Sequence, residues 1–259
     1  MKSTLRLGIC ILDFYIKMND TVVVIPTYNE SENVIALIDS LLRTTSDLNI
    51  LIVDDNSPDE TFKLVQNHEF FESKVFLLLR SEKNGLGKAY ISGFNWGLER
   101  NYKFIAQMDA DFSHPYSALS NMIALSSQEN AVVVGSRWIK GGRVVGWPLH
   151  RLFLSKMGSY YARTLLRIKT RDVTSGFKVI PRHYLQLIDY EKFVSSGYAF
   201  QIELQESIRI HHIAIIEFPI VFTERVKGQS KMSGKIAFEA FIFVLRIFVR
   251  KKLRNLRVK

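Results

Sequence analysis

Five short apolar runs, separated by segments of helical spacing, constrain what this chain can fold into more than any other feature. The runs occupy residues 21–26, 49–54, 74–79, 104–108 and 131–135, each bounded by polar or turn-forming residues. Between them, residues 32–42 place Val34, Leu37, Ile38, Leu41 and Leu42 on one helical face behind an Asn29 or Ser31 cap. Residues 59–67 and 88–100 carry similar patterns. Strands alternating with helices predict an α/β fold whose mostly parallel sheet has helices on both faces. At 259 residues and 47% apolar content the chain can enclose a substantial core, and no repeat or low-complexity linker divides it.

In such sheets ligands sit beyond the carboxyl ends of the strands, and here those ends are polar. The first run leads into Pro26-Thr27-Tyr28-Asn29-Glu30, the second into Asp54-Asp55-Asn56-Ser57, the fourth into Asp109-Ala110-Asp111 and the fifth into Ser136-Arg137. Side chains alternate along an extended chain, so Asp109 and Asp111 point the same way and can share a hard divalent cation, Mg²⁺ or Mn²⁺. An isolated Asp-x-Asp is more often a solvated strand end or turn, so its surroundings decide. No G-x-G-x-x-G follows the first run and no P-loop occurs, which removes the main support for a dinucleotide or P-loop site. The Gly85-Leu86-Gly87-Lys88 turn reads either as a phosphate approach or as a helix entry. Tyr28, a polar-tipped aromatic just past a strand, suits stacking on a base; Trp147 and Phe177 read as packing residues, and His114 as a metal ligand or a shaper of its loop.

Charge is unevenly spread. Residues 1–136 hold 11 Lys and Arg against 17 Asp and Glu, whereas residues 137–259 hold 24 against 8. The excess culminates in a basic cluster over residues 250–259, attracted to anionic lipid or nucleic acid; without a recognisable nucleic-acid module, a membrane surface is the expected partner and nucleic acid is not. Residues 236–249 are apolar over most of a helical circumference, with Lys235, Glu239, Arg246 and Arg250 in one narrow sector. That predicts an interfacial helix, one docking a small membrane subunit, or one packed on its own domain. No run reaches the ~18–20 apolar residues that span a bilayer. Lys2, Arg6 and residues 7–12 resemble a signal sequence but are interrupted by Asp13 and lack a small-residue cleavage site, so residues 1–19 read as an extension, with Met18 an alternative start. A lone Cys10 excludes an intrachain disulfide framework. The expectation is a peripheral or monotopic protein on the cytoplasmic side of a membrane.

The chain resembles glycosyltransferase family 2, and within it the dolichol- or polyprenol-phosphate mannosyltransferases. The likeness rests on Ile25-Pro26-Thr27-Tyr28-Asn29-Glu30, Val53-Asp54-Asp55-Asn56-Ser57-Pro58-Asp59, Asn84-Gly85-Leu86-Gly87-Lys88-Ala89-Tyr90, Met108-Asp109-Ala110-Asp111-Phe112-Ser113-His114-Pro115 and Gly135-Ser136-Arg137. Gly146-Trp147, Arg151, Ser155, Asp172-Val173-Thr174-Ser175-Gly176-Phe177, Gly197-Tyr198-Ala199-Phe200-Gln201 and the block Glu224-Arg225-Val226-Lys227-Gly228-Gln229-Ser230-Lys231 extend it. The resemblance implies a GT-A domain over residues 20–234, a single nucleotide-sugar site, and inversion at the anomeric carbon. By similarity Pro26, Tyr28, Glu30, Val53 and Asp55 cradle the nucleoside, Asp109, Ala110 and Asp111 the diphosphate and metal, and Arg137, Arg225 and Lys231 the donor or acceptor phosphates. Asp109, Asp111 and Arg137 become the catalytic set, with Arg137, Arg151 and Ser155 on the lipid phosphate. Ser113 departs from the pattern, standing where some relatives have a metal-assisting Gln.

The chemistry is consistent with that likeness. A phosphate monoester with a second pKa near ~6 is already ionised at neutral pH and needs little general base, in keeping with the lack of a Ser-His or Cys-His constellation. GDP-mannose as donor and dolichol or polyprenol phosphate as acceptor follow from resemblance alone, since Asp109-Ala110-Asp111 does not distinguish them from a UDP-glucose system. A non-catalytic nucleotide-sugar or nucleic-acid binding protein is the alternative of a different class.

Overall fold

The computed structural model describes residues 18–193, 195, 197–225 and 241–249. The residue 1–17 part of the expected extension, Lys231, residues 235–240 and the basic cluster over residues 250–259 lie outside them.

A seven-stranded sheet forms the centre. It is built from β1 (Thr21–Thr27), β2 (Asn49–Asp54), β3 (Val75–Leu79), β4 (Phe104–Gln107), β5 (Val132–Ser136), β7 (Lys178–Pro181) and β8 (Ile215–Pro219), in the order β3-β2-β1-β4-β7-β5-β8. All pairings are parallel except those of β7, which runs antiparallel to β4 and β5. Two further strands, β6 (Arg143–Val145) and β9 (Val221–Thr223), pair in parallel as a separate ribbon. The five expected strands are all present, and the expected mostly parallel α/β sheet is the one observed.

Strand β1 shows why the sheet is covered on both faces. Val22 and Val24 pack with Leu51, Val53, Ile105 and Ile180 in one core, while Val23 and Ile25 pack with Ile50, Ile52, Ala106 and Val179 in another. Alternation along a strand sends successive side chains to opposite faces, so a strand apolar at every position needs helices on each side. Helices α3 (Leu86–Glu99) and α7 (Gly197–Ile210) cover the first face; α1 (Val34–Thr44) and α4 (Leu119–Gln128) cover the second. Short helix α2 (Thr61–Gln66) packs beside the edge strand β3, and α6 (Arg182–Leu187) follows β7 and adds Leu185 to the first core. The longest of the described helices, α5 (Leu149–Leu166), joins residues 241–249, also helical, in a third cluster around Ala162, Leu166, Ile202 and Val244.

Helix α1 begins at Val34, two residues later than its periodicity suggests, with Asn33 as cap and no side-chain capping bond. Ser31 instead donates its backbone N–H to Asp59 Oδ2, and Asn29 donates to Ser57 Oγ, so both expected caps tie the β1 loop to the β2 loop. Helix α3 is preceded by its cap Gly85, whose φ of 90° makes the Gly85-Leu86-Gly87-Lys88 turn a helix entry.

Close approach of α3 to β1 depends on Gly93, where a Cβ would lie 2.3 Å from Val24 Cγ1. A methyl there overpacks a core without voids, so Gly93→Ala should destabilise the protein by about 1–3 kcal/mol in urea unfolding. Gly158→Ala on α5, with nothing within 4 Å of its Cβ, should instead be neutral or stabilise by ~0.5–1 kcal/mol. Equal shifts at the two positions would contradict the packing described.

Candidate active site

The parallel register brings three polar strand ends together. Thr27 is level with Asp54, and β4 stops beside Val24, so Asp109-Ala110-Asp111 emerges next to Pro26-Thr27-Tyr28. A cleft opens there, lined by Pro26, Tyr28, Glu30, Asp55, Asp109, Ala110, Asp111 and Arg225 from the expected set, together with Lys83, Thr174, Gly176 and Gln201.

The end of the cleft beside Tyr28 and Asp55 is braced from below. Asp54 is fully buried and accepts bonds from Thr27 Oγ1 (2.7 Å), Ser57 N (2.8 Å) and Ser57 Oγ (2.7 Å), locking the ends of β1 and β2 together. That leaves Asp55 facing the cleft, where it accepts a 2.6 Å bond from Arg80 Nη1. Burial pushes the Asp55 carboxyl above its ordinary range, and Arg80 counters it. Lys83 Nζ lies 3.6 Å from the ring centroid of Tyr28, a cation–π contact on the aromatic face expected to meet a base.

The acidic pair is held as a shaped loop. Phe112 adopts φ 60°, unusual for a bulky residue, and this turns Ser113 back so that its N–H and Oγ both bond Asp111 Oδ1 at 3.1 and 2.5 Å. Ser113, the departure from the family pattern, is therefore spent on orienting Asp111. The partly exposed Asp109 accepts a 3.1 Å bond from Tyr90 Oη, and its backbone N–H donates to His114 Nδ1 at 3.1 Å. His114 is buried, stacked on Phe177 (5.1 Å) and edge-on to Phe222 (5.5 Å), and burial lowers its pKa. It shapes the Asp109 loop from behind. Desolvation, then the charge of Asp109, raises the Tyr90 phenol well above its usual pKa and keeps it a donor.

Among the described residues no group of three or more His, Cys, Asp or Glu side chains could hold a metal. Two oriented carboxylates remain, a donor set that suits an ion completing its shell with substrate phosphates and water, as Mg²⁺ does. Arg225 adds positive charge, its Nη2 3.2 Å from Asp111 Oδ2.

Other expected residues are placed elsewhere. Val53 is fully buried with its side chain in the core under α3. Arg137, 5% exposed, is tied to Asp172 by Nε–Oδ2 (2.7 Å), Nη2–Oδ1 (2.6 Å) and its own N–H (2.9 Å), and to Thr174 Oγ1 at 2.9 Å. It clamps β5 to the Asp172–Phe177 segment and does not line the cleft. Arg151 pairs with Glu224 at 2.5 Å, lies 4.1 Å over Trp147, and shares α5 with Ser155. Trp147 and Phe177 act in packing, Trp147 edge-on to Phe222 and Phe177 in the core.

Arg80, Lys83, Tyr90, Asp172 and Lys178 were not singled out by sequence reasoning. Arg80 and Lys83 follow β3, the position rule already applied to the other strands. Tyr90 and Asp172 lie inside motif blocks but reach the site only through tertiary contacts.

Lys178 sits directly beneath the cleft, fully buried, donating to Gln201 Oε1 (2.5 Å) and to the Ser175 carbonyl. Desolvation lowers its pKa to about 7, against attraction from Asp172 and Asp109. Between that value and the ordinary lysine range the unfolded chain holds a proton that the folded one releases, so raising the pH from 7 towards 10 favours folding through this group. Below pH 7 both states are protonated and the full cost of the buried charge applies. The stability of wild type relative to Lys178→Met, measured by urea unfolding at pH 7, 8 and 9, should therefore rise with pH. Parallel curves would mean that Lys178 titrates as an ordinary lysine.

The glycosyl transferase family 2 model matches residues 22–188. Polyprenol monophosphomannose synthase of Mycolicibacterium smegmatis is 39% identical over 238 residues, 92% of this chain and 90% of that protein. Undecaprenyl-phosphate mannosyltransferase of Micrococcus luteus is 37% identical, covering 91% and 97%. Dolichol-phosphate mannosyltransferase of Pyrococcus furiosus is 32% identical, covering 87% of this chain and 62% of that protein. Among solved structures, glucosyl-3-phosphoglycerate synthase of Mycobacterium tuberculosis, in complex with Mn²⁺, UDP and glucosyl-3-phosphoglycerate, superposes with TM-score 0.65 at 16% identity over 87% of this chain and 78% of that one. The sheet, the cleft at its carboxyl edge and these likenesses define a GT-A glycosyltransferase domain. The chain belongs to glycosyl transferase family 2.

Proposed function

We propose that this protein transfers mannose from GDP-mannose to a polyprenol or dolichol phosphate, with inversion, using Mg²⁺ or Mn²⁺. The observation that carries the reading is the cleft itself: Asp109 and Asp111, pre-oriented by Tyr90, His114 and Ser113, face Arg225 beside the Tyr28–Asp55 base end. The mannosyl donor and lipid acceptor are supported by relatives at 37–39% identity whose names carry that activity.

In this reading Asp109 and Asp111 hold the divalent ion, which when bound supplies Lewis-acid neutralisation of the leaving diphosphate. Arg225, and Lys231 by resemblance, add cationic charge at the same oxygens. Tyr28 stacks on the base, Asp55 accepts its ring N–H groups, and Glu30 borders the ribose. Arg151 and Ser155, one turn apart on α5, orient the acceptor phosphate, which attacks as an already ionised nucleophile. Arg137 serves them from behind by fixing the Asp172–Phe177 segment.

The lipid must reach this site from a bilayer, and α5 offers the surface. Leu149 (83% exposed), Phe153 (64%), Leu154 (58%), Met157 and Tyr160 are exposed, with His150 and Lys156 among them, on the helix that also carries Arg151 and Ser155. Residues 241–249 extend it: Tyr161 stacks on Phe241 at 4.6 Å, Val244 is buried against α5, and Phe241, Leu245 and Val249 remain exposed. The C-terminal segment is thus partly packed on its own domain and partly available to lipid. No described helix is long and apolar enough to cross a membrane.

Incubating the full-length protein with polyprenyl phosphate and radiolabelled GDP-mannose should give mild-acid-labile lipid-linked mannose. Labelling from UDP-glucose instead would reassign the donor, and labelling from neither would overturn the reading. Phe153→Glu with Leu154→Glu should reduce flotation with anionic vesicles while sparing turnover of a short soluble acceptor; unchanged flotation would move the membrane contact elsewhere.

A further inference from the structure

Two neighbouring residues of opposite charge leave the end of β9 and enter two different parts of the site. Glu224 reaches Arg151 on the acceptor side, Oε1 to Nη1 at 2.5 Å. Arg225 reaches Asp111 on the donor side, Nη2 to Oδ2 at 3.2 Å. The backbone between them is anchored: Thr223 N donates to Ser113 O (3.2 Å), and Glu224 N donates to Val145 O (2.9 Å). Gly146, at φ +89°, lets the chain pass this close, since a Cβ there would meet Glu224 Cβ at 2.9 Å. The Glu224 contact is therefore built into the fold at several points.

We propose that Glu224 is a placeholder for the acceptor's phosphate. Its carboxylate holds Arg151 in place and is displaced when a phosphate monoester binds. The inference rests on the reading of Arg151 as an acceptor-side residue. Three features carry it. The guanidinium is partly buried over Trp147, so leaving it unpaired between turnovers would be costly, and an internal anion removes that cost. Glu224 satisfies only one edge: Arg151 Nε is buried and has no hydrogen-bond partner among the described residues. A phosphate, with three oxygens and close to two negative charges, can engage Nε and a terminal nitrogen together, which one carboxylate oxygen on Nη1 does not.

The charges on the other side mirror this arrangement. Arg225 sets a cation on Asp111, a carboxylate assigned to the metal, just as Glu224 sets an anion on the cation assigned to the phosphate. With a metal and diphosphate bound, Asp111 would serve as a ligand and Arg225 would turn from it towards the diphosphate oxygens. Glu224 is the adjacent residue, and its side chain, beyond the anchored backbone, would follow that shift away from Arg151, so donor binding would favour acceptor binding.

The test compares wild type, Glu224→Gln, Arg151→Ala and the double variant, using a short water-soluble polyprenyl phosphate, with inorganic phosphate as a second probe. Binding is measured by calorimetry without donor, and acceptor and donor KM with GDP-mannose. Glu224→Gln should tighten polyprenyl phosphate about tenfold without donor, the scale of one charged hydrogen bond no longer competing. It should lower the acceptor KM but not the donor KM, and shrink the gain in acceptor affinity on adding GDP and metal. Inorganic phosphate should tighten in parallel if the shared phosphate group is what is read; tightening of polyprenyl phosphate alone would mean that Glu224 screens the lipid chain and would overturn the placeholder role. Arg151→Ala should weaken the acceptor and abolish the effect of Glu224→Gln in the double variant. If Arg151→Ala weakens the acceptor but Glu224→Gln leaves it unchanged or weaker, the placeholder fails while the acceptor site stands. If Arg151→Ala leaves the acceptor unaffected, the acceptor assignment fails and takes the placeholder with it.

Discussion

The parallel pairing of β1 with β2 and β4 determines where the chemistry of this protein can sit. Strands apolar on both faces leave no room for charged groups along their length, so polar residues collect where the strands run out. Because Thr27 is level with Asp54 and β4 ends near Val24, three such ends meet at one edge. The cleft is the consequence, with Tyr28 and Asp55 at the end built by β1 and β2 and an acidic end on β4. Antiparallel β7 then returns between β4 and β5 and places Thr174 and Gly176 on the far wall.

Beneath that edge lies a layer of buried polar groups whose cost has to be offset by pairing. Asp54 is satisfied by hydroxyl and amide donors, Arg137 by a bidentate bond to Asp172, and Lys178 by Gln201 and a carbonyl. Buried ion pairs of this kind add little net stability over an apolar core, but losing one partner strands the other. Their function here is positional: they join β5, the Asp172–Phe177 segment and α7 into one rigid wall. Asp109 and Asp111 are held by the same logic at the cleft, Asp109 by Tyr90 and His114 and Asp111 by Ser113.

Much of this was legible in the sequence because it depends on local pattern. The five strands, the three N-terminal helices and the collection of Pro26, Tyr28, Glu30, Asp55, Asp109, Ala110 and Asp111 in one cleft follow from apolar periodicity and the strand-end rule. Partnerships across long separations were not legible. Arg137 is expected on substrate phosphates, yet it is held by Asp172, 35 residues on. Arg151 likewise meets Glu224, 73 residues away, only because β6 and β9 pair. Strand β7 was missed since four residues containing a lysine carry no buried-strand pattern, and Lys178 is tolerated there only because α7 brings Gln201 to it. Helix α5 has a weak periodicity because it packs on one side while remaining apolar on another, so the C-terminal segment drew attention as the greasy element instead.

In the proposed function, two oriented carboxylates, with Arg225 already on one of them, hold a metal ion whose shell a nucleoside diphosphate completes. Mn²⁺ binding to the full-length protein, followed by electron paramagnetic resonance alone and with GDP or UDP, tests this directly. Weak binding alone, tightened at least about tenfold by the matching nucleotide and lost in Asp111→Asn with the fold intact, is the predicted result. Mn²⁺ affinity indifferent to both nucleotides, or unchanged in Asp111→Asn, would contradict it.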